Sequence, residues 1–209
     1  MSVRVYEGLG AAENGKGAKV PFGVETGMKS IGPASFELHN QGEGNVVLGV
    51  MRADQHGGLA TDKDTAVADE DTTYDGTGAQ LVFTGATTAE TPVCPGSVRL
   101  VDAGDVAPDL IDRDGDGILY TDDDDQDAAG TVNYITGALE LSYPTGKAPG
   151  TGADAIEANY NYQDALTVPG GKRTFRVNSV PNEVEMTALV ATDVQGGSLC
   201  KVNGIATWI

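Results

Sequence analysis

The sequence contains few of the side chains that enzymes most often use for chemistry. Its 209 residues include two histidines, two cysteines and one tryptophan. No Ser-His-Asp pattern and no GxxxxGK[ST] phosphate-binding loop can be recognised. Carboxylate pairs suited to a glycosidase are available, but one tryptophan and seven tyrosines offer few surfaces for stacking sugars. His39 and His56 lack metal-ligand spacing, so we expect structural or surface roles for them. The sequence therefore predicts a protein that is not an enzyme, with no catalytic residues.

Long apolar segments are also absent. No stretch approaches the roughly 20 apolar residues of a membrane-spanning helix, and the N-terminal segment MSVRVYE lacks the apolar core of a signal peptide. We therefore expect neither membrane insertion nor export. Cys94 and Cys200 are compatible with two buried thiols or with one disulfide, and an unexported chain favours thiols. Neither cysteine belongs to a CxxC pair, so no zinc or redox site is expected.

Basic side chains are scarce relative to acidic ones. Thirteen Lys and Arg residues are set against 31 Asp and Glu residues, which gives a formal net charge of −18. A field of this sign repels nucleic acid phosphates, so direct DNA or RNA binding is not expected. Three explanations of the charge stay open: a soluble surface that resists self-association, binding of divalent cations, and adaptation to a salty environment.

Glycine and short alternating segments are abundant. The chain has 29 glycines and is 40% hydrophobic, and apolar and polar residues alternate in short runs separated by Gly, Pro, Asn or Asp. No run of ten or more residues has apolar positions at helical spacing. The pattern predicts an all-β protein, an antiparallel β-sandwich or barrel-like arrangement with an extended N-terminal arm.

The same pattern divides the chain into three parts. Residues 1–34 are predicted to form the extended arm, because glycine recurs there among small and charged residues. Residues 35–75 and 163–209 predict a β domain built from N-terminal and C-terminal strands, which we expect to pair with each other. Residues 76–162 predict a separate β module. Residues 54–78 are predicted to form a polar loop, either a solvated excursion or a contact surface.

Turn residues predict two hairpins outside the module. Strands at residues 35–39 and 45–51 are separated by a short, turn-rich link. Near the C-terminus, Asn203-Gly204 is a strong hairpin signal, and its arms would be residues 198–202 and 205–209.

Alternation inside the module predicts which side chains share a face. Leu139, Leu141 and Tyr143 fall on one face of a strand. In the last strand of the module the shared face carries Ile156, Ala158, Tyr160 and Tyr162.

An Asp-rich loop within the module is the clearest chemical signal. Nine aspartates lie between positions 109 and 127, and residues 112–117 fit D-x-D-x-D-G, the first half of a calcium loop. The loop departs from an EF-hand because its twelfth position is Asp rather than Glu and no helices flank it. The expected cofactor is Ca²⁺, and the alternative is a solvated acidic loop. The predicted metal ligands are Asp112, Asp114, Asp116, the carbonyl of Ile118 and Asp123.

The succession of motifs in the module resembles a known family of β modules. TPVCPGSVRL begins at Thr91, the acidic loop follows, GTVNYITGALEL begins at Gly130, and ANYNY closes the module at Tyr162. This order is similar to a β module found in structural proteins of tailed bacteriophages and related viruses. The resemblance covers roughly residues 76–162, and its motifs combine turn chemistry with strand alternation.

The resemblance implies a non-enzymatic virion protein. We expect a decoration or cement protein on the capsid surface, made in the host cytoplasm, with the major capsid protein as its partner. It would be a homo-oligomer, with a trimer as one possible form, and would contact neither nucleic acid nor membrane. The alternatives are a tail, baseplate or head-fibre component, and a calcium-dependent adhesion module.

Overall fold

The computed structural model describes residues 2–20, 28–30, 33–52, 57–153, 155–166, 170–177, 184–195 and 197–208. Within these ranges the backbone forms strands, turns and bends with no helix, which confirms the predicted all-β class. Accordingly, the described residues include no helix that is long and apolar enough to span a membrane.

Nineteen strands lie in the described part of the chain. They are β1 (Ser2–Asn14), β2 (Ala18–Val20), β3 (Met28–Ser30), β4 (Ala34–Asn40), β5 (Val46–Arg52), β6 (Gly58–Leu59), β7 (Thr65–Asp71), β8 (Gly76–Thr77), β9 (Val82–Thr87), β10 (Arg99–Asp102), β11 (Leu110–Ile111), β12 (Ile118–Thr121), β13 (Ala128–Val132), β14 (Ala138–Ser142), β15 (Thr151–Gly152), β16 (Ile156–Tyr162), β17 (Lys172–Val177), β18 (Val184–Thr192) and β19 (Ser198–Trp208).

The first sheet contains nine of these strands. Seven of them follow the order β17-β4-β19-β1-β18-β5-β6, and β2 and β3 pair with β18 beside this path. β1 runs antiparallel to β19 through eleven Cα partners, from Ser2–Trp208 to Ala12–Ser198. The segment predicted as an extended arm, residues 1–34, therefore contains three strands that lie along β18 and β19 of the same chain.

The first sheet curls so that strands near its two edges share one apolar core. Alternate residues of β4 point into this core, and Leu48 of β5 and Phe175 of β17 belong to the same buried cluster. Asp62, just after β6, donates its backbone N–H to the carbonyl of Arg176 in β17 at 2.9 Å. In return, the Asp62 carboxylate accepts the Arg176 N–H at 2.7 Å. These two bonds draw the opposite edges of the sheet together.

The second sheet contains eight of the described strands, in the order β7-β16-β10-β11-β12-β13-β14-β9. All of its pairings are antiparallel. Its core buries the faces predicted from alternation, including Leu139, Leu141 and Tyr143. Ile156, Ala158 and Tyr160 are buried in the same core, and Tyr162 packs against it. β8 and β15 form a small separate sheet.

The two sheets pack against each other through the outer face of β5 and β18. Val47 of β5 and Ala191 of β18 point away from the first core and belong to the core of the second sheet. Gln163 donates its side-chain amide to the carbonyl of Leu48 at 2.7 Å, and this bond crosses the junction. Tyr134 donates its backbone N–H to the carbonyl of Gly15 at 3.0 Å, which fixes the second sheet to the end of β1.

Several strand pairings differ from the sequence predictions. The strands at 35–39 and 45–51 exist, but β4 pairs with β17 and β19 whereas β5 pairs with β18 and β6, so they do not form a hairpin with each other. The predicted pairing of the C-terminal strands with β4 and β5 is confirmed. The predicted hairpin at Asn203-Gly204 is wrong, because β19 runs straight through it between β1 and β4.

The predicted polar loop at 54–78 is also wrong in part, because β7 occupies its centre and pairs with β16. β7 is an edge strand, and only Val67 in it packs against the core. Asp69 and Asp71 are exposed, whereas Glu70 is half-buried and its carboxylate accepts the hydroxyl of Tyr160. The strand therefore shows no clear alternation in the sequence.

The two cysteines are buried thiols, and they lie in different surroundings. Cys200 belongs to the core of the first sheet, whereas the Cys94 sulfur lies 3.1 Å from the side-chain nitrogen of Gln163 at the junction. Burial raises the pKa of the Cys94 thiol well above its ordinary value, and the nearby Asp64 adds to this effect. Cys94 is therefore an unreactive thiol at neutral pH.

Candidate functional site

The Asp-rich loop lies at the junction between the two sheets. It leaves β11 at Asp112, contacts the first sheet around Gly115, and enters β12 at Ile118. Gly115 has a φ of +66°, and a Cβ there would lie 2.1 Å from Cδ1 of Leu189 in β18. A glycine is required at this point because the backbone conformation is left-handed and there is no space for a side chain.

Asp112, the first predicted ligand, is fully buried. Its Oδ2 accepts hydrogen bonds from the backbone N–H of Gly96 at 2.6 Å and from the hydroxyl of Tyr134 at 2.7 Å. Burial raises the pKa of Asp112 to about 7, and these two hydrogen bonds and others limit the rise. Asp112 therefore holds the Asp-rich loop to two other segments of the second sheet.

The second oxygen of Asp112 has a different environment. Oδ1 is buried and has no hydrogen-bond partner in the described structure. A buried acceptor without a donor is costly, whether the carboxyl group is protonated or ionised.

Asp114, Asp116 and Ile118 lie further along the loop. Asp114 and Asp116 are half-buried, and Oδ1 of Asp116 accepts the backbone N–H of Ile118 at 2.9 Å. Ile118 begins β12 and is paired with Thr131 of β13. Asp116 thus shapes the entry of the loop into the sheet.

Asp123, the last predicted ligand, contacts a lysine. The ammonium group of Lys147 lies 2.8 Å from Asp123, 2.8 Å from Asp125 and 3.2 Å from Asp127. The hydrogen bond from Lys147 and a second one from Thr121 lower the pKa of Asp123 to about 2, and the same carboxylates raise the pKa of Lys147. Lys147 thereby acts as a built-in counter-ion for this half of the loop.

Four of the five predicted ligands are therefore engaged in three separate places: Asp112 with Tyr134, Asp116 and Ile118 at the turn into β12, and Asp123 in the Lys147 cluster. Among the described residues, no group of three or more His, Cys, Asp or Glu side chains is arranged to hold a metal ion. Calcium binding by this loop stays a prediction. For Asp123 to bind the ion, its ion pair with Lys147 would have to break.

A cleft of about 330 Å³ opens beside Asp112, between the start of β6 and the second sheet. Gly57, Gly58 and Gly96 form one wall, and Arg99 and Asp122 lie at the opening. Gly58 donates its backbone N–H to the carbonyl of Gly96, so the wall is also a contact between the two sheets. The glycines leave the cleft free of side chains on this side.

Arg99 is held at the opening by two carboxylates. Its guanidinium group lies 2.6 Å from Asp109 and 3.1 Å from Asp122. The Arg99 and Asp122 side chains are 49% and 41% exposed, so this part of the cleft is in contact with solvent.

The sequence interpretation missed the residues that give the loop its present arrangement. Lys147 and Tyr134 lie 20 to 24 positions away from the aspartates that they contact. Arg99 lies 23 positions from Asp122 and ten positions from Asp109. Tyr134 belongs to the resembled motif, but its hydroxyl contact carries no sequence signal. The scarcity of basic residues is the one indication available, because each of the few cations in an acidic protein is expected to contact carboxylates.

No protein-family model matches the sequence, and no curated protein matches it. Among solved structures, VP17, a capsid protein of bacteriophage P23-77, is 16% identical, with coverage of 99% of this chain and 100% of that chain and a TM-score of 0.20. The VP16-VP17 complex of the two major capsid proteins of the same bacteriophage gives 14% identity, 95% and 98% coverage and a TM-score of 0.18.

A third solved structure is a mutant VP2 protein of infectious bursal disease virus in derived T=1 particles. It is 8% identical, with coverage of 98% of this chain and 76% of that chain and a TM-score of 0.22.

Proposed function

We propose that this protein is a non-enzymatic structural component of a virion, and that it decorates the capsid and cements it. In this role it binds across the joints between neighbouring capsid subunits and stabilises the shell by burying surface on both. Its partner is the major capsid protein, and its location is the outer surface of the capsid. Symmetric copies at local axes, such as trimers, suit this task, because each copy then presents the same surfaces to equivalent neighbours.

The observation that carries this proposal is that the segment resembling the phage β module forms most of the second sheet. Residues 76–162 supply seven of the eight strands of the second sheet, and most of its core. The Asn133 side chain accepts the backbone N–H groups of Ile135 and Thr136, both at 3.0 Å, and Gly137 completes the turn with a φ of +71°. Tyr134 in the same turn is fully buried. The motif thus builds a closely packed, hydrogen-bonded module, as expected of a structural part.

The distribution of charge also supports the proposal. A net charge of −18 keeps the free protein soluble and limits its self-association. Assembly on a shell then needs complementary positive surface, which speeds encounter and selects the partner. The acidic segment at residues 122–127 is largely exposed and is available for such contacts.

A particle experiment tests this function. Virus particles are purified from cells that make the protein, and mass spectrometry measures its copy number relative to the major capsid protein. We expect a fixed ratio close to a small whole number or simple fraction, as symmetric binding requires. Particles stripped of the protein should release their genome at a lower temperature, and adding purified protein back should restore the original value.

Two other results would contradict the proposal in different ways. A few copies per particle, without any effect on shell stability, would support the tail, baseplate or head-fibre alternative. Presence in infected cells but absence from purified particles would remove every virion role.

A further inference from the structure

The cleft beside Asp112 has the features of a binding site for a cationic group. We infer that it accepts a lysine or arginine side chain of a neighbouring virion subunit, an inference that rests on the proposed function. Asp112 lines the cleft but is fully covered in the free protein, so its carboxylate would receive the charged end of this side chain as the cleft opens on binding.

The unpartnered oxygen of Asp112 is the first observation that points to a ligand. Asp112 is completely buried, it lines the cleft, and its Oδ1 has no partner, although its Oδ2 has two donors. A ligand that donates a hydrogen bond would satisfy this acceptor, and a charged donor forms the stronger bond with a carboxylate.

The charge of the lining selects a cation. Asp112, Asp122 and Arg99 all line the cleft. The guanidinium group of Arg99 forms ion pairs with both Asp122 and Asp109. Three carboxyl groups therefore surround one positive charge. An anionic ligand would meet uncompensated negative charge, whereas an ammonium or guanidinium group would reduce it.

The size and shape of the cleft suit a side chain better than a bare ion. A volume of about 330 Å³ corresponds to roughly ten water molecules. Val98 and Ile111 contribute apolar lining against which the methylene stem of a lysine or arginine can pack. The exposed opening at Arg99 and Asp122 gives a partner access from outside.

A titration of the isolated protein tests the cleft without any virus particle. Ethylguanidinium and n-butylammonium chloride serve as probes, with sodium chloride at equal ionic strength as the reference. Amide NMR signals of Gly57, Gly58 and Gly96 should shift and saturate with either probe. Shifts that follow ionic strength alone, or that spread over the whole acidic surface, would overturn the inference.

Asp112→Asn is the decisive variant. Asparagine keeps the shape of the side chain, and its carbonyl oxygen can still accept from Gly96 and Tyr134, so the fold should persist. The new amide group replaces the unpartnered oxygen with a donor, which opposes a cation. We expect probe affinity to fall by about tenfold or more, while Asp124→Asn, which removes the same charge from an exposed position away from the cleft, should retain it.

Asp122→Asn provides a second variant in case the buried substitution disturbs folding. It alters only the exposed opening, and we expect a smaller loss of affinity. Equal affinities for wild-type protein, Asp112→Asn and Asp122→Asn would overturn the inference.

The same variants separate this inference from the proposed function. On stripped shells, Asp112→Asn should rebind about tenfold more weakly than Asp124→Asn. Normal rebinding of Asp112→Asn would reject the cleft as a capsid contact and leave the virion role intact. Saturable probe binding by a protein that is absent from particles would reject the virion role and the proposed occupant, and would retain a cation site.

Discussion

At the scale of single residues, two buried aspartates have opposite responses to pH. Asp112 has two donors on one oxygen and none on the other, so burial dominates and its pKa rises to about 7. Burial alone would also raise the pKa of Asp102, but its hydrogen bonds to backbone N–H groups outweigh this and lower it. The number of donors around each carboxylate therefore decides which charge state the fold favours.

Replacing Asp112 with asparagine should change how stability depends on pH. Because the pKa in the folded state is above its ordinary value of 3.8, the folded protein holds a proton that the unfolded chain has lost. This contribution is full below pH 3.8 and is lost as the pH rises through about 7, amounting to on the order of 4 kcal/mol. Urea unfolding between pH 5 and pH 8 should therefore show the stability advantage of wild-type over Asp112→Asn shrinking as pH rises. With Asp124→Asn as the control, parallel curves for all three proteins would contradict this.

Asp102→Asn should destabilise the protein at neutral pH. The Asp102 carboxylate accepts the backbone N–H groups of Gly104, Val106, Ala107 and Gly150 at 2.8 to 3.2 Å. In Asp102→Asn, the NH2 group of the amide would face some of these N–H groups, and two donors cannot bond to each other. We expect the free energy of unfolding to fall by about 2 to 3 kcal/mol. Because the folded-state pKa is lowered, the advantage of aspartate is present above pH 3.8 and is lost as pH falls through the folded-state value.

Thermal unfolding at pH 7 and pH 3 measures this effect. The difference between wild type and Asp102→Asn should be smaller at pH 3. Asp105→Asn, an exposed position in the same turn, is the control and should behave as wild type. A difference that grows in acid would show that Asp102 is not held ionised by these donors.

At the scale of elements, the close approach of the two sheets depends on glycines. Gly49 in β5 has no room for a side chain, because a Cβ there would lie 2.2 Å from the carbonyl oxygen of Pro95. A Cβ at Gly17, after β1, would lie 1.8 Å from the carbonyl oxygen of Gly115. Backbone atoms occupy the space in both cases, so neither contact can be relieved by a side-chain rotation.

Gly49→Ala should therefore weaken the junction. We expect a loss of about 1 to 3 kcal/mol in the free energy of unfolding, since the segment at Pro95 must move away from β5. Gly104→Ala is the matched control, because a Cβ there has its nearest neighbours at 3.4 Å, an ordinary contact. Urea unfolding measures both variants, and equal stabilities would mean that the sheets are not packed as closely as described.

The Lys147 cluster gives a test of the calcium prediction. If Asp123 binds Ca²⁺, the ion must displace the ammonium group of Lys147, so Lys147→Gln should bind calcium about tenfold more tightly. Lys63→Gln removes a lysine from the exposed pair with Asp62 and should have no effect. Calorimetric titration measures the three affinities, and no binding by any of the proteins would remove the calcium site.

The strands were more predictable from the sequence than their pairing. Alternation identifies a buried face within one strand, as at Leu139 and Leu141, because burial acts on each side chain locally. Pairing depends on distant segments: Asn203-Gly204 favours a turn by itself, yet β1 and β4 hold β19 extended through both residues. The environment of Asp112 was unpredictable for the same reason. Its partners Gly96 and Tyr134 lie outside the loop, so the loop sequence does not reveal that Asp112 is buried.

At the scale of the whole molecule, two packed sheets carry a strongly acidic surface. Both sheets have their own core, and hydrogen bonds such as Gln163 to Leu48 join them. The charge of −18 makes contact between copies depend on ionic strength, because salt screens their repulsion. These properties suit a protein that stays soluble when free and assembles on a partner of opposite charge.

Cross-linking mass spectrometry on purified particles tests the virion role most directly. An amine-reactive cross-linker reports the neighbours of the exposed lysines Lys16, Lys63 and Lys172, which are spread along the described chain. A capsid decoration or cement protein predicts abundant links from these lysines to the major capsid protein, together with links between copies of this chain. Links confined to tail proteins, or no links to any virion protein, would contradict it.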